Sequence, residues 1–167
     1  MWSTTVAIPV ANIGELRQED MNDPEISYTV FKLTGECTVS HVYKDAEVKY
    51  IYIQDESSAL TLWDRFGDIT TEYKTGDKLT NLYLSLENVF GTRMALPAAD
   101  PGEALSHNNE IIPQEVTLAE LAAHPENYEA RLITVKEVSF FNRENENQGI
   151  FTEGTQNKIS QGETEAT

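Results

Sequence analysis

Short runs of alternating apolar and polar residues, separated by turn signals, constrain the fold of this chain more than any other feature. Five such runs lie between Tyr28 and Leu96, and they are rich in β-branched and aromatic side chains. A period of two places successive side chains on opposite faces of a strand, whereas an amphipathic helix has a period of about 3.6 residues. The pattern therefore predicts an all-β domain with short helices at most.

The first predicted strand is long and covers Tyr28–Tyr43, with Gly35 at a bend or bulge that lets the strand curl. The other four are predicted over Val48–Asp55, Ala59–Trp63, Lys78–Val89 and Thr92–Leu96. The segment Asp64–Lys74 has no clear period and leaves room for a short helical turn. Side chains predicted to face the interior are Leu33, Val39, Ile51, Ile53, Leu60, Leu62, Leu82, Leu84 and Leu96.

This strand pattern is typical of a small Greek-key barrel. Five strands with a curled first strand are compatible with an OB-type barrel and with an SH3-like barrel. The length of the first strand and the irregular segment between the third and fourth strands favour the five-stranded OB type.

A second part of the chain repeats features of the first about 100 residues further on. Near the start, Asn12 is predicted to cap a helical turn with Glu15 as its partner, and Thr117 with Glu120 repeats this pattern. Two further pairs of segments are alike: Tyr128–Val138 with Tyr28–Val39, and Gly149–Glu153 with Tyr52–Asp55. Similar stretches at a fixed spacing predict a tandem repeat of one module.

The second copy is predicted to be incomplete. Its strands are expected at Arg131–Phe140 and Gly149–Thr152, and the polar segment Asn157–Thr167 predicts no further strand. The chain is thus divided into a barrel with its lead-in over residues 1–97 (core 28–97), a linker over 98–115, and a partial second OB-like repeat over 116–167. Unpaired strand edges in the partial repeat predict packing on the first barrel or self-association with another copy.

Charge and composition limit the possible partners. The net charge of the chain is −16, but residues 28–97 carry 7 basic and 10 acidic side chains, a net charge of only −3. An acidic balance disfavours binding to phosphate backbones. The single cysteine, Cys37, lies in an alternating apolar segment and is predicted to be a buried, inert thiol. No apolar run is long enough to insert into a membrane, and the first residues lack the features of a targeting segment.

Five segments resemble a known kind of module: Leu33–Glu36, Tyr52–Asp55, Gly76–Leu79, Ala99–Gly102 and Val116–Leu121. They are similar to the tandem OB-fold modules, often labelled nucleic-acid-binding, of uncharacterised exported or lipid-anchored bacterial proteins. Such modules often stand beside other surface or nuclease domains. The resemblance implies an OB barrel in an exported protein, periplasmic or at the cell surface, whose targeting segment is outside this chain.

The candidate ligand face is predicted on the second and third strands, where OB barrels usually bind. Its aromatic members are Tyr50, Tyr52 and Trp63, and its basic neighbours are Lys44, Lys49 and Arg65. Rings on such a face can stack on the bases of single-stranded nucleic acid, on sugars or on a peptide. The alternative is that these rings only make cross-strand pairs that stabilise the sheet.

No catalytic constellation is visible in the sequence. His41, His107 and His124 are far apart, and no metal-ligand spacing, nucleophile elbow, phosphate loop or cofactor motif is present. His107-Asn108-Asn109 is superficially similar to a nuclease motif but is better explained as a polar loop. The leading hypothesis is a non-catalytic binding or interaction module of a larger exported protein. The alternatives are a single-stranded nucleic-acid-binding domain and an accessory domain of an enzyme, such as a nuclease.

Overall fold

The computed structural model describes residues 6–142, 157–161 and 164–166, and they are mostly β-structure. Contacts divide them into two compact units, the first reaching Ile112 and including Glu129–Arg131, the second made of Pro113–Tyr128 and the described residues from Leu132 onwards. The first unit contains β1 (Ile8–Val10), α1 (Ile13–Gln18), β2 (Phe31–Leu33), β3 (Cys37–Asp45), β4 (Val48–Gln54), β5 (Ala59–Asp64), β6 (Lys78–Leu79), β7 (Leu82–Val89) and β8 (Thr92–Pro97).

The strands of the first unit form one curled sheet in the order β1-β2-β7-β8-β5-β4-β3-β6. β3, β4 and β5 form an antiparallel meander, and β8 runs parallel to β5 and antiparallel to β7. β2 and β3 follow one another in the chain, yet β2 pairs with β7 whereas β3 pairs with β4 and β6. The predicted β class is therefore confirmed. The consecutive strands β2 and β3 pair with different strands of the curled sheet, so this one stretch of chain takes part in two regions of it.

The predicted first strand is interrupted at the expected glycine. It begins at Phe31 rather than Tyr28 and is broken between β2 and β3, where Gly35 lies. A Cβ atom at Gly35 would collide with the carbonyl oxygen of Ala11, so the close approach of two backbones requires glycine there. The neighbouring Thr34 N–H donates to the Val10 carbonyl at 2.9 Å and holds this junction together.

The core lies between the inner faces of the curled sheet. Eight of the nine predicted core residues are fully buried: Leu33, Val39, Ile51, Ile53, Leu60, Leu62, Leu82 and Leu84. The prediction for Leu96 is wrong, because it is partly exposed while Ala95 is buried. The β7–β8 hairpin pairs Val89 with Thr92, and this register places Ala95 opposite Leu86 on the inner face.

The irregular segment between β5 and β6 contains no helical turn. Instead, the buried carboxylate of Asp64 accepts the N–H groups of Asp68 at 2.8 Å and Ile69 at 3.2 Å. Asp100 accepts further bonds from the backbone and hydroxyl groups of Thr70 and Thr71. Side-chain carboxylates thus satisfy backbone donors that a helix would have satisfied internally.

The lead-in helix α1 is capped as the sequence predicts. Asn12 Oδ1 accepts the Glu15 N–H at 2.9 Å, and the Glu15 carboxylate accepts the Ala11 N–H at 2.7 Å. Ile13 and Leu16 are both fully buried, so the short helix is held by its apolar face. A 3₁₀ turn at Ile26–Tyr28 then leads into β2.

The second unit contains β9 (Gln114–Glu115), α2 (Leu118–Ala123), a 3₁₀ turn (Pro125–Asn127), β10 (Ile133–Thr134), β11 (Ser139–Asn142), β12 (Asn157–Gln161) and β13 (Thr164–Ala166). The predicted capping pair is confirmed, because Thr117 and Glu120 bond reciprocally. The predicted strand Gly149–Thr152 lies outside the described residues. The expectation of no strand in Asn157–Thr167 is wrong: β12 pairs with β11 and β13, since backbone groups pair whatever the polarity of the side chains.

The two units share an order of elements. In each, a short strand, a capped helix and a 3₁₀ turn precede a strand parallel to the first, as in β1 with β2 and β9 with β10. The helix start is also bonded alike. Asp55 Oδ2 accepts the Ile13 N–H at 2.8 Å in the first unit, and Gln161 Oε1 accepts the Leu118 N–H at 3.0 Å in the second.

Candidate ligand surface

The outer face of β3, β4 and β5 carries a row of aromatic side chains. Inward Ile51 and Ile53 alternate with Tyr50 and Tyr52, which therefore lie on the outer face of β4. Tyr50 is paired in register with Tyr43 on β3, with ring centroids 5.8 Å apart, and with Trp63 on β5. These contacts stabilise the sheet, and the 52% exposure of Tyr43 also leaves ring surface open to a ligand.

Arg65 extends the row just beyond the end of β5. Its guanidinium carbon lies 4.7 Å from the ring centroids of both Trp63 and Phe66. An ion pair with Glu87, at 3.2 Å, compensates its charge. Phe66 is 72% exposed, whereas Trp63 Nε1 and Arg65 Nε are buried and, among the described residues, have no hydrogen-bond partner. The stack is therefore fixed in place by its ring contacts and its ion pair, and the exposed ring of Phe66 is the part that a ligand can reach.

The structure brings together only part of the predicted site. Tyr50, Tyr52, Trp63 and Arg65 share the outer face, whereas Lys49 belongs to the opposite face of β4. Lys49 Nζ donates to the Ile69 carbonyl at 2.9 Å and to the Glu72 carboxylate at 3.1 Å, so it is a structural residue. Lys44 is paired with Lys49 in register and is exposed near the end of β3.

Sequence reasoning missed four members of this surface: His41, Tyr43, Phe66 and Glu87. The His41 ring lies 5.9 Å from that of Tyr52. His41 and Tyr43 belong to this surface because of how β3 pairs with β4, including a register shift in β3 between Val39 and His41. The sequence indicated only one of the four, because Phe66 directly follows Arg65.

A groove of about 730 Å³ opens at the other end of the same outer face. Its floor includes Thr38 and Gln54, which are register partners on β3 and β4. Its walls come from the start of α1, from the turn after β4, from β6 and from residues 110–112. The lining includes Asn12, Glu56, Lys78, Glu110 and Arg131. Gln54 of the groove and Tyr50 of the aromatic row therefore lie on the same face of β4 within the first unit.

Charges in the groove are largely compensated by their neighbours. The Asp55 carboxylate accepts the Ile13 N–H through one oxygen and the Ser57 and Ser58 N–H groups, each at 2.8 Å, through the other. Lys78 forms an ion pair with Glu36 at 3.1 Å. The groove is lined by four acidic and two basic side chains and so presents donors as well as acceptors.

The His107-Asn108-Asn109 segment has a structural role. His107 Nδ1 lies 2.7 Å from the buried carboxylate of Asp77, and Asn109 Nδ2 donates to the Gly76 carbonyl at 2.8 Å. Burial raises the pKa of Asp77, but the bonds from His107 and the Lys74 N–H outweigh burial and lower it. These contacts fasten the segment along the edge of β6.

Cys37 is buried, as predicted, and burial together with the Asp55 charge raises its pKa to about 12, which leaves it a protonated, unreactive thiol. Within the described part of the chain, no cluster of three or more His, Cys, Asp or Glu side chains is placed to hold a metal ion. None of the helices described has the length and apolar character needed to cross a membrane.

Neither the protein-family models nor the curated proteins compared with this chain match it.

Proposed function

We propose that this chain is a non-catalytic binding module whose ligand lies on the outer face of β3, β4 and β5. The observation that carries the proposal is the continuous row of Tyr43, Tyr50 and Trp63, extended by Arg65 held between two rings. Tyr43 is exposed and Tyr50 and Trp63 are partly exposed, and rings fixed by cross-strand packing offer contact area at little cost in conformational entropy. The resemblance to exported OB-fold modules extends the proposal to a module of a larger exported protein.

The strand pairing supports an OB-type barrel. We infer this type by taking β2 with β3 as one curled strand and β6 with β7 as another, which with β4, β5 and β8 gives five strands and leaves the short β1 as an addition at the edge. Their order around the sheet is then first, second, third, fifth, fourth and first again, with the third and fifth strands parallel. In OB barrels the ligand lies across the second and third strands, which correspond here to β4 and β5.

The first unit's reactive groups support a role without catalysis. The Cys37 thiol is buried and His107 is bonded to Asp77, so both are engaged in structural contacts. The His41 ring lies beside the Tyr52 ring on the outer face, tilted by 43°, where it can contribute to binding. Ligand binding on the outer face therefore explains the exposed side chains of the first unit better than catalysis does.

The proposal is tested by following the indole N–H of Trp63 by ¹H–¹⁵N NMR in a Trp2→Phe background, where Trp63 is the sole tryptophan. Neutral oligosaccharides, a short oligothymidylate and a set of unstructured peptides are titrated separately. We expect one class to shift the Trp63 resonance saturably. Calorimetry should then show binding about tenfold weaker in Trp63→Ala, a factor equivalent to about 1.4 kcal/mol.

The matched control is Tyr83→Ala, which removes a partly exposed tyrosine on β7 that lies against Lys32, away from this face. Affinity in this variant should equal that of the parent. Absence of binding by all three classes, or equal affinity in Trp63→Ala and the parent, would contradict the proposal.

Single-stranded nucleic acid is the second candidate, because bases stack on exposed aromatic rings. With a net charge of −3 over residues 28–97, phosphate contacts are few, so oligothymidylate binding should be confined to low salt. Oligothymidylate binding that persists at physiological salt and is lost in Trp63→Ala would place this candidate first.

A further inference from the structure

The chain returns to the first unit after it has entered the second. It enters the second unit at Pro113, belongs again to the first over Glu129–Arg131, and continues in the second from Leu132. Three residues that follow α2 in the sequence are therefore part of the first unit. Ordering such a segment costs conformational entropy, so specific contacts must hold it.

We propose that the first unit has a docking site for an acidic segment and that Glu129 occupies this site. The site lies between α1 and β8 and consists of the Arg17 guanidinium and the backbone N–H of Arg93. Its partner is the segment 129–131, which binds through the Glu129 carboxylate. The inference goes beyond the outer-face ligand proposed above and does not depend on it.

Both oxygens of the Glu129 carboxylate are bonded. Arg17 Nη2 donates to one oxygen at 2.6 Å, and the Arg93 N–H donates to the other at 3.2 Å. Bonds between a guanidinium and a carboxylate are charge-assisted, and the backbone N–H adds a fixed direction. The Arg17 and Glu129 side chains are only 16% and 24% exposed, so salt screens this pair less than a pair on the open surface.

The two arginines are oriented by contacts that do not involve the carboxylate. Arg17 Nη1 donates to the carbonyl of Ala59 in β5 at 3.2 Å. The Arg93 guanidinium donates to the carbonyls of Leu16 and Glu19 at 3.0 Å each. These carbonyls lie at the C-terminal end of α1, where unsatisfied oxygens favour a cation. The docking site is therefore preorganised to receive a carboxylate.

The charges at the site favour an acidic partner. Burial lowers the pKa of the Arg93 guanidinium, and the charge of Arg17 lowers it further, whereas Glu129 and Glu19 oppose both effects. A carboxylate beside the two arginines compensates the repulsion between them. A neutral or basic side chain at position 129 would leave that repulsion in place.

The rest of the segment also has the shape of a bound peptide. Arg131 Nη2 donates to the carbonyl of Asp55, in the turn between β4 and β5, at 3.4 Å. Ala130 lies between the two charged residues and has a φ of +63°, a left-handed conformation that is unfavourable for alanine. Contacts on both sides of Ala130 must offset this cost, so docking accounts for the local conformation.

The first test uses the full chain and amide hydrogen exchange followed by NMR, with the Arg93 amide as the reporter. Because this N–H donates to Glu129, Glu129→Ala should raise its exchange rate about tenfold or more. Arg17→Gln should also raise it, because the carboxylate then loses its charged partner. The amide of Ile53, in the buried part of β4, measures any general loss of stability. If Arg93 and Ile53 accelerate by the same factor in both variants, there is no local docking site.

Glu126→Ala is the matched control, since Glu126 is an acid three residues earlier that pairs with His124 in the second unit. This variant should leave the exchange of the Arg93 amide as it is in the parent. Faster exchange at Arg93 in this control would show that loss of any nearby acid has the same effect, which contradicts a site specific to Glu129.

The second test supplies the partner separately. A peptide with the sequence of residues 126–134 is added to the Glu129→Ala chain at millimolar concentration, which is the order of the effective concentration of a tethered segment. It should restore slow exchange at the Arg93 amide, whereas the same peptide with Glu129→Gln should not. The parent chain should not respond, because its own segment occupies the site. Failure of the acidic peptide to slow exchange, or equal slowing by both peptides, would overturn the proposal.

Discussion

Asp55→Ala is expected to destabilise the first unit through one carboxylate that joins two elements. One Asp55 oxygen accepts the N–H of Ile13 at the start of α1, at 2.8 Å. The other accepts the N–H groups of Ser57 and Ser58 in the turn between β4 and β5, also at 2.8 Å. Removing the carboxylate therefore removes one bond between the helix and the sheet and both bonds that brace the turn.

The magnitude follows from what replaces each bond. Ile13 is fully buried, so its N–H has poor access to water, and an unsatisfied buried donor costs about 1–3 kcal/mol. Ser57 is exposed and Ser58 is partly exposed, so water replaces most of their bonds. The expected total is about 3 kcal/mol, less than the sum of separate charge-assisted bonds, because a shared acceptor is not additive.

Urea unfolding followed by Trp63 fluorescence in the Trp2→Phe background measures this cost. Glu56→Ala, the exposed acidic neighbour in the same turn, should stay within about 0.5 kcal/mol of the parent. Asp55→Asn should fall between the two, because its single amide oxygen can replace the acceptor on only one side. If Asp55→Ala unfolds at the same urea concentration as Glu56→Ala, the carboxylate does not join helix and turn as argued.

Three further predictions concern the acid response, the strand junction and the core. Burial raises the pKa of Asp100, but bonds from two threonines and a glycine N–H outweigh it and hold the pKa well below its usual range. The stabilisation by Asp100 is therefore complete above the unfolded pKa of about 3.9 and is lost as pH falls through the folded pKa. Asp100→Asn should lower the free energy of unfolding at neutral pH and make that free energy fall less steeply at acid pH in pH-dependent urea titrations. An unchanged decline at acid pH contradicts this. Gly35→Ala should unfold at a clearly lower temperature in calorimetry, because its Cβ meets the Ala11 carbonyl; a parental melting temperature would show that the junction relaxes freely. Leu84→Ala should cost about 2–5 kcal/mol in urea unfolding and Leu96→Ala less than half as much, and equal costs would refute the observed register.

Local features were predictable from the sequence because their causes are local. Alternation defined β4 and β5 to within one residue, and the pairs Asn12–Glu15 and Thr117–Glu120 located both helix starts. In each case the cause lies within a few residues: side chains alternate along one strand, or a capping side chain bonds to nearby backbone atoms. Gly35 also marked the break in the first strand, although not the neighbour that requires it.

The sequence by itself determined the β class, most of the core and the outward position of Tyr50 and Tyr52. Only the tertiary structure decided which residues join them. Strand register put Tyr43 beside Tyr50 and buried Ala95 in place of Leu96. Register depends on hairpin geometry and on pairing between strands distant in the chain, so a shift of one residue reverses every side chain. No local pattern contains that information, so the full membership of the candidate surface is known only from the pairing of the strands in the folded sheet.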